Sequence, residues 1–306
     1  MKFSIILLTY ESAFDKIKVT LDSVLDQTND SFEVVICDDG SKSFPKDDIV
    51  SYFEEKSFSN YKLVVNEVNK GTIKNCISGI EVATGECVKL IGAGDLLYDE
   101  ETVNNMYDYL HNSEYGIAFG LMKSFYQEEG KYCFSDSIFA PRLLKPYQER
   151  DDKTIKRNLL MCRDYISGAS LFGKRDFIEK YLHKMSHIAV YLEDYMTLLV
   201  VLDGEKIGYL EEYVVYYELF SGVSTKKGSE GNKRLQKDSE NAWNEIIKLY
   251  DDKKLRRNVL ARQKADKINS KLLRNFYRLF HCPSALYVRN KHSVVKKDKK
   301  GFLERK

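Results

Sequence analysis

No stretch of this sequence approaches the ~18 consecutive apolar residues that a membrane span needs; the richest run, Tyr195-Met196-Thr197-Leu198-Leu199-Val200-Val201-Leu202, is far shorter. The apolar part of Met1-Lys2-Phe3-Ser4-Ile5-Ile6-Leu7-Leu8 is too short for a signal peptide, and Thr9-Tyr10-Glu11 follows where a small-residue cleavage site would stand. Cysteine is scarce and scattered: Cys37, Cys76, Cys87, Cys133, Cys162 and Cys282 form no C-x-x-C pair and have no histidine at zinc spacing. That excludes a disulfide framework and a zinc ribbon, and reads as thiols in a reducing compartment. The expectation is a cytoplasmic protein. No internal repeat is visible. Neither charge sign dominates, with 48 Lys+Arg against 46 Asp+Glu. With 43% hydrophobic and 31% charged residues the chain is neither disordered nor collagen-like. Its 306 residues give room for a core that needs no staples.

The near-zero net charge hides an asymmetry. Residues 253–306 hold 18 Lys+Arg against 3 Asp+Glu, and the rest holds 30 against 43. An acidic body suited to chemistry carries a basic tail suited to something anionic.

The first half alternates between two periods. Phe3 to Leu8, Phe32 to Cys37, Tyr61 to Val65 and Cys87 to Ile91 are short, β-rich apolar runs. Between and after them, apolar residues recur at helical spacing: Ile17, Leu21, Val24; Ile49, Tyr52, Phe53; Ile73, Ile77, Ile80; Val103, Met106, Leu110. This predicts an α/β fold with a mostly parallel sheet and helices on both faces. In such sheets ligands bind beyond the carboxyl ends of the strands, and polar clusters stand there: Thr9-Tyr10-Glu11, Asp38-Asp39 and Asp95. The second half is less regular. It reads as strands at 116–119, around Phe125-Tyr126 and at 214–217, a hairpin turn at Glu128-Glu129-Gly130, and a buried helix from Glu193 to Leu202. The expected organisation is a nucleotide-binding half (1–115), an acceptor-side half of the same domain (116–228) and a helical basic extension (229–306).

Taken singly, each polar cluster has two readings. Asp38-Asp39-Gly40 is a turn signal or a ligand contact. Asp95, after Gly92-Ala93-Gly94, caps a helix or faces phosphates across a cation. Glu193-Asp194 is a helix-dipole charge or a general base. Their order along the chain narrows the choice. Over Phe3 to Ser224 the sequence resembles the family 2 glycosyltransferases, which have the GT-A nucleotide-sugar fold. The resemblance is carried by Ser4 to Glu11, Ser23-Val24-Leu25-Asp26-Gln27-Thr28, Glu33 to Ser41 with Asp38-Asp39-Gly40-Ser41, Asn69-Lys70-Gly71, Lys74-Asn75, Ala83-Thr84-Gly85-Glu86, Gly92 to Asp95, Ser167-Gly168-Ala169-Ser170 and Leu192-Glu193-Asp194-Tyr195.

The resemblance implies an inverting transfer of a hexosyl or related group from a nucleoside-diphosphate donor, expected to be UDP-linked, to a hydroxyl of a growing surface polysaccharide. Asp194 is implied as catalytic base. Asp39 would read the pyrimidine, Thr9 and Tyr10 would line it, and Glu11 would lie at the nucleoside. Asp38 would support the loop. Lys74 matches a basic position near the donor, or is a solvated helix charge. Asp95 would hold a divalent metal, Mn2+ or Mg2+. Two departures stand out. The family often has an acidic D-A-D-D run where this chain has Gly92-Ala93-Gly94-Asp95, and Tyr-Arg-x-His where it has Tyr217-Glu218-Leu219-Phe220. The thinned motif keeps a catalytically degenerate binding module open as an alternative. A nucleotidyltransferase is disfavoured, because Thr9-Tyr10-Glu11-Ser12 stands in place of a Gly-rich basic loop.

In the tail, Leu272, Leu273, Phe276, Leu279 and Phe280 fall on one helical arc, with Lys267, Lys271, Arg274 and Arg278 on the other. That pattern suits either an interfacial membrane helix, placing the protein on the inner face of the membrane beside a lipid-linked acceptor, or packing of the apolar arc on the body. No stacking platform or recognised module for nucleic acid is visible. The chain after Pro283 reads as mobile.

Overall fold

A computed structural model describes residues 2–135, 137–138, 141–220, 230–288, 291, 293–295 and 299–305. The strands are β1 (Phe3–Thr9), β2 (Phe32–Asp38), β3 (Tyr61–Val65), β4 (Cys87–Gly92), β5 (Leu96–Leu97), β6 (Ile117–Glu128), β7 (Lys131–Ser135), β8 (Ser137–Ile138), β9 (Leu171–Lys174), β10 (Ile207–Glu218) and β11 (Ser293–Val294). The helices are α1 (Phe14–Leu25), α2 (Lys46–Glu55), α3 (Thr72–Ile80), α4 (Thr102–His111), α5 (Lys145–Gln148), α6 (Asp152–Arg157), α7 (Arg175–Ser186), α8 (Met196–Leu202), α9 (Glu230–Leu249), α10 (Lys253–Asp266), α11 (Lys271–His281), α12 (Ser284–Tyr287) and α13 (Phe302–Arg305). A 3-10 turn, Glu193–Tyr195, leads into α8.

One sheet runs in the order β3-β2-β1-β4-β9-β6-β10-β5, with β7 on β6. Strands β1 to β4 are mutually parallel, β9 enters antiparallel between β4 and β6, and β10 is parallel to β6. Alternation along the central strands feeds two cores. Phe3, Ile5 and Leu7 of β1 meet α1, α2 and α4 on one face, whereas Ile6 joins α3, α7, α8 and α9 on the other. Burial on both faces explains why these strands read as unbroken apolar runs.

At the amino ends of the strands a polar cluster fixes the sheet. Glu33 is 1% exposed. It receives the hydroxyls of Ser4 (2.7 Å) and Thr84 (2.8 Å), the Thr84 N–H and the Lys62 ammonium (2.8 Å). Gly85 N–H donates to the Ser4 hydroxyl at 2.8 Å, and a Cβ on Gly85 would lie 2.5 Å from that oxygen. The Ala83-Thr84-Gly85-Glu86 motif is thus structural, at the sheet end opposite the carboxyl-end crevice.

The tail departs from the sequence reading. Residues after Pro283 were expected to be mobile; instead, residues 299–305 dock on the sheet. Glu304 accepts from the Tyr98 and Tyr216 hydroxyls at 3.0 and 2.7 Å and pairs with Lys123 at 2.5 Å. Lys299 pairs with Asp99 at 2.6 Å, and Arg305 with Glu100. Part of the Lys296–Lys300 run and the boundary expected near residue 228 lie outside the described residues. Helix α11 turns its apolar arc outward. Leu272, Leu273, Phe276, Leu279 and Phe280 are 56–80% exposed, while Arg278 faces Asp266 at 2.6 Å and Arg274 donates to the Ile268 carbonyl.

Glu33 makes the fold sensitive to acid. Burial alone would raise its carboxyl, but the Lys62 ammonium, the Thr84 N–H and the two hydroxyls hold it down at about 2, against 4.5 for an ordinary glutamate. A folded pKa below the unfolded one stabilises fully above pH 4.5 and is lost as pH falls toward 2. Glu33→Gln should therefore cost roughly 2–3 kcal/mol at neutral pH, with the gap to wild type closing in acid. Urea unfolding at both pH values checks this; a gap as wide at about pH 3 as at neutrality would contradict it.

Candidate functional site

Four loops meet at the carboxyl ends of β1, β2 and β4. The β2 loop is organised by its own acids. Asp38 accepts the N–H of Ser41 at 2.7 Å and its hydroxyl at 2.5 Å, which closes the turn. Asp39, 4% exposed, spends its two oxygens on the N–H groups of Lys70 (2.8 Å) and Gly71 (3.0 Å). Gly40 permits this approach. It has φ +75, and a Cβ there would lie 2.5 Å from the Val68 carbonyl carbon. Burial raises the Asp39 carboxyl against the lowering pull of those two amides. Asp39 is therefore a clamp on the 66–71 loop, and a ligand would meet its remaining lone pairs.

The β1 loop lies alongside. Thr9 ends β1 with a buried hydroxyl that has no hydrogen-bond partner among the described residues, a polar group that ligand or water would satisfy. The Tyr10 ring is 51% exposed. Glu11 has φ +49; its N–H donates to the Ser41 hydroxyl at 2.6 Å and its carboxylate accepts Lys42 N–H at 3.2 Å, which ties this loop to the Asp38 turn. Lys74 is exposed on α3, whereas Asn75 is buried and donates to the Cys37 carbonyl at 3.1 Å. The structure places Lys74 in contact with none of the acidic groups.

The segment before α8 reaches the crevice by packing on α3. Ile73 N–H donates to the Val190 carbonyl at 3.1 Å, and Gly71, with φ +86, leaves room for Val190, since a Cβ there would fall 2.3 Å from its Cγ1. Val190 and Tyr191 N–H groups are held by Asp238 of α9. Glu193 and Asp194 then sit against the 167–169 turn, where a Cβ on Gly168 would meet Glu193 Oε1 at 2.4 Å and Asp194 Cβ at 3.5 Å. Both carboxyls are held above the ordinary carboxylate range by desolvation; in Glu193 the neighbouring Asp194 charge adds to it. The N–H groups of Asp194 and Tyr195 pull the Asp194 carboxyl the other way without prevailing.

The sequence reading missed a buried cation in the strand that leads to Asp95. Lys89, in the middle of β4, is wholly buried, and its ammonium donates to the carbonyls of Leu90 (2.9 Å) and Ala169 (2.5 Å). Burial pushes it down to about 7, while the charges of Asp95 and Glu193 both oppose that fall. The buried Cys76 thiol likewise feels both Glu193 and Asp39. Asp39 follows β2, Asp95 follows β4, and Glu193-Asp194 precede α8. The available signal was a lone lysine inside the apolar run Cys87-Val88-Lys89-Leu90-Ile91.

Asp95 is 9% exposed, and burial pushes its carboxyl up to about 7. One oxygen accepts the Glu218 N–H at 3.0 Å. The Glu218 carboxylate pairs with Lys16 at 3.0 Å. A magnesium ion can rest on one or two carboxylates plus substrate phosphates. Here the carboxylate of Glu218, whose N–H holds Asp95, is already paired with Lys16. No group of three His, Cys, Asp or Glu side chains is arranged for a metal among the described residues. Of the Gly92–Asp95 run, Asp95 alone offers a carboxylate that a divalent cation and donor phosphates could share.

Residues 4–181 match the sequence profile of Glycosyl transferase family 2. Among curated protein sequences none matches the chain significantly. The fold is similar to that of the mannosyltransferase PcManGT from Pyrobaculum calidifontis, solved with GDP-Man and Mn2+, at TM-score 0.56 and 16% identity; the match covers 81% of this chain but only 64% of that one. It is also similar to S. aureus TarS 1-349, at TM-score 0.53 and 16% identity over 99% of both chains, and to the same protein with UDP-GlcNAc, at TM-score 0.54 over 98% of both.

The approach of the α8 segment to α3 depends on Gly71. Gly71→Ala should destabilise the protein by more than Gly204→Ala. Both glycines have positive φ, but a Cβ at Gly204 meets nothing within 4 Å, so that substitution carries only the backbone cost, about 1–2 kcal/mol. Thermal unfolding of the two variants, together with transfer assays, would show equal losses if the Val190 contact were unimportant.

Proposed function

Because the chain belongs to the family 2 glycosyltransferases, we propose that it moves a sugar from a nucleoside-diphosphate donor, a UDP-sugar in the first instance, to a hydroxyl of a growing, lipid-linked surface polysaccharide. The observation that carries this reading is the arrangement past β1 and β2, where Asp39, whose N–H donates to the Thr9 carbonyl at 2.9 Å, clamps the 66–71 loop next to the Thr9 hydroxyl, partnerless among the described residues, and the exposed Tyr10 ring. The solved structures with GDP-Man and with UDP-GlcNAc support a donor of this class.

The base and ribose would lie between the exposed ring of Tyr10, the unsatisfied Thr9 hydroxyl and the loops held by Asp38, Asp39 and Glu11. Lys74 is exposed at the same end of α3 and would meet only the outer part of a donor. The acceptor oxygen bonds to the anomeric carbon from the face away from the nucleotide and its proton passes to Asp194. The bond from that carbon to the diphosphate breaks, with its electron pair left on the phosphate oxygen. Inversion follows from this single displacement. A carboxylate held above its ordinary range is a better proton acceptor near neutrality than an unperturbed aspartate. No step is routed through a metal.

The tail supports contact with an anionic lipid surface. Helix α11 presents five exposed apolar side chains on a segment carrying a large excess of Lys+Arg, and no helix among the described residues is long and apolar enough to cross a membrane. An interfacial helix buries such an arc at the headgroup boundary while basic residues meet anionic lipid, at about 1 kcal/mol each.

Two outcomes follow. Asp194→Asn should lower transfer by at least ~10²-fold while leaving nucleotide affinity within about threefold. The wild-type rate should fall as pH drops through a pKa above the ordinary aspartate value, since protonation removes the base; normal turnover by the variant would reject the assignment. For the tail, Leu273→Glu/Phe276→Glu should abolish co-sedimentation with phosphatidylglycerol vesicles. Equal binding of wild type to neutral vesicles, or none to either, would reject the lipid reading, and a concentration-dependent dimer lost in the variant would assign the face to a second copy.

A further inference from the structure

Gly94 has φ +101, a backbone region that side chains rarely occupy, and its N–H is fixed by the Thr20 hydroxyl at 2.9 Å. A Cβ at position 94 would lie 2.4 Å from Lys16 Cε and 2.6 Å from Glu218 Oε2. The space through which an acidic side chain at 94 would project is therefore filled by the Lys16–Glu218 pair. Lys16 belongs to the first turn of α1, directly after the β1 loop that lines the crevice. Its partner Glu218 ends β10 and holds Asp95 by its N–H. Gly92, the other missing acidic position, would place a Cβ against nothing nearer than Asp95 Oδ2 at 3.6 Å, so that side of the crevice stays open.

We propose that Lys16 is the group that binds the donor's diphosphate, standing where a metal-binding carboxylate at position 94 would bring a cation, so that this chain takes nucleoside diphosphates without a divalent ion. The inference rests on the glycosyltransferase reading above. The Lys16–Glu218 pair is about one-third exposed on each side. Such a pair is weak and solvent-screened, so a diphosphate bearing more than one negative charge competes for the ammonium while Glu218 keeps it parked in the free enzyme. An ammonium is a compact point charge with rotatable donors, suited to diphosphate oxygens and to the charge that grows on them as the sugar departs. Lys89 is wholly buried with its ammonium on two backbone carbonyls, so it is not the cation offered to a ligand.

The test is calorimetric titration of the full-length protein with UDP and with GDP, in EDTA and in manganese chloride, alongside the matching nucleosides. The expected result is binding of one diphosphate with the same affinity, within about threefold, in EDTA and in manganese. Lys16→Met should weaken that diphosphate at least tenfold, leave the nucleoside unchanged, and be rescued by Lys16→Arg. A diphosphate that binds only with manganese overturns the proposal, and because that arm uses wild-type protein it stands even if Lys16→Met fails to fold. Equal diphosphate affinity of wild type and Lys16→Met also overturns it. If neither nucleotide binds under any condition, the donor reading itself falls and takes this inference with it.

Discussion

A fully buried ammonium constrains the crevice more than any other group. Taking a charged lysine out of water costs several kcal/mol unless it is matched, and Lys89 is matched by two carbonyls and by the field of Asp95 and Glu193. The match is geometric as well as electrostatic. The carbonyl of Ala169 comes from the turn that leads into β9, and Glu193 comes from the turn that leads into α8. Strand β4 and the turn before β9 are thereby tied together. If the lysine moved, two acidic side chains would lose the charge that offsets their own desolvation.

A second constraint is steric and operates through glycine. At Gly40, Gly71 and Gly94 the backbone turns with positive φ while a neighbouring segment passes within a few ångströms of the missing Cβ. Each contact brings one loop onto another: 66–71 onto the Asp39 turn, 188–192 onto α3, and the α1 side chain of Lys16 onto the β4 loop. Acidic residues in these loops also serve as fasteners. Asp38 closes its own turn and Asp39 clamps the next loop, so these carboxylates hold the loops past β2 and β3 in place.

Much of the framework was legible in the amino-acid sequence, for physical reasons. Strands buried on both faces cannot alternate, so β1, β2 and β4 appear as short apolar runs; helices that cover a sheet must show period 3.6, and α1 to α4 do. Thr9 and Asp38 end β1 and β2, and Asp95 follows β4, where the apolar runs stop. What the sequence could not show is pairing across long separations. Lys89 resembles a stray charge until its ammonium is found on the carbonyls of Leu90 and Ala169. Glu218 reads as a departure from a motif until its N–H is found on Asp95 and its carboxylate on Lys16. Strand β5 is too short for any periodicity, and its place at the sheet edge is set by β10.

The basic tail divides its labour in a way that net charge alone conceals. Part of its charge is spent inward: Lys299 and Arg305 neutralise Asp99 and Glu100, and Glu304 accepts from two tyrosines of the sheet, so the end of the chain fastens the β5–β10 edge near the crevice. In α11 the usual arrangement of a surface helix is reversed, with polar side chains turned to the body and apolar ones to the outside. Exposed apolar area of that size is unfavourable in water at about 25 cal/mol per Å², and the inward packing that a buried arc would provide is forgone.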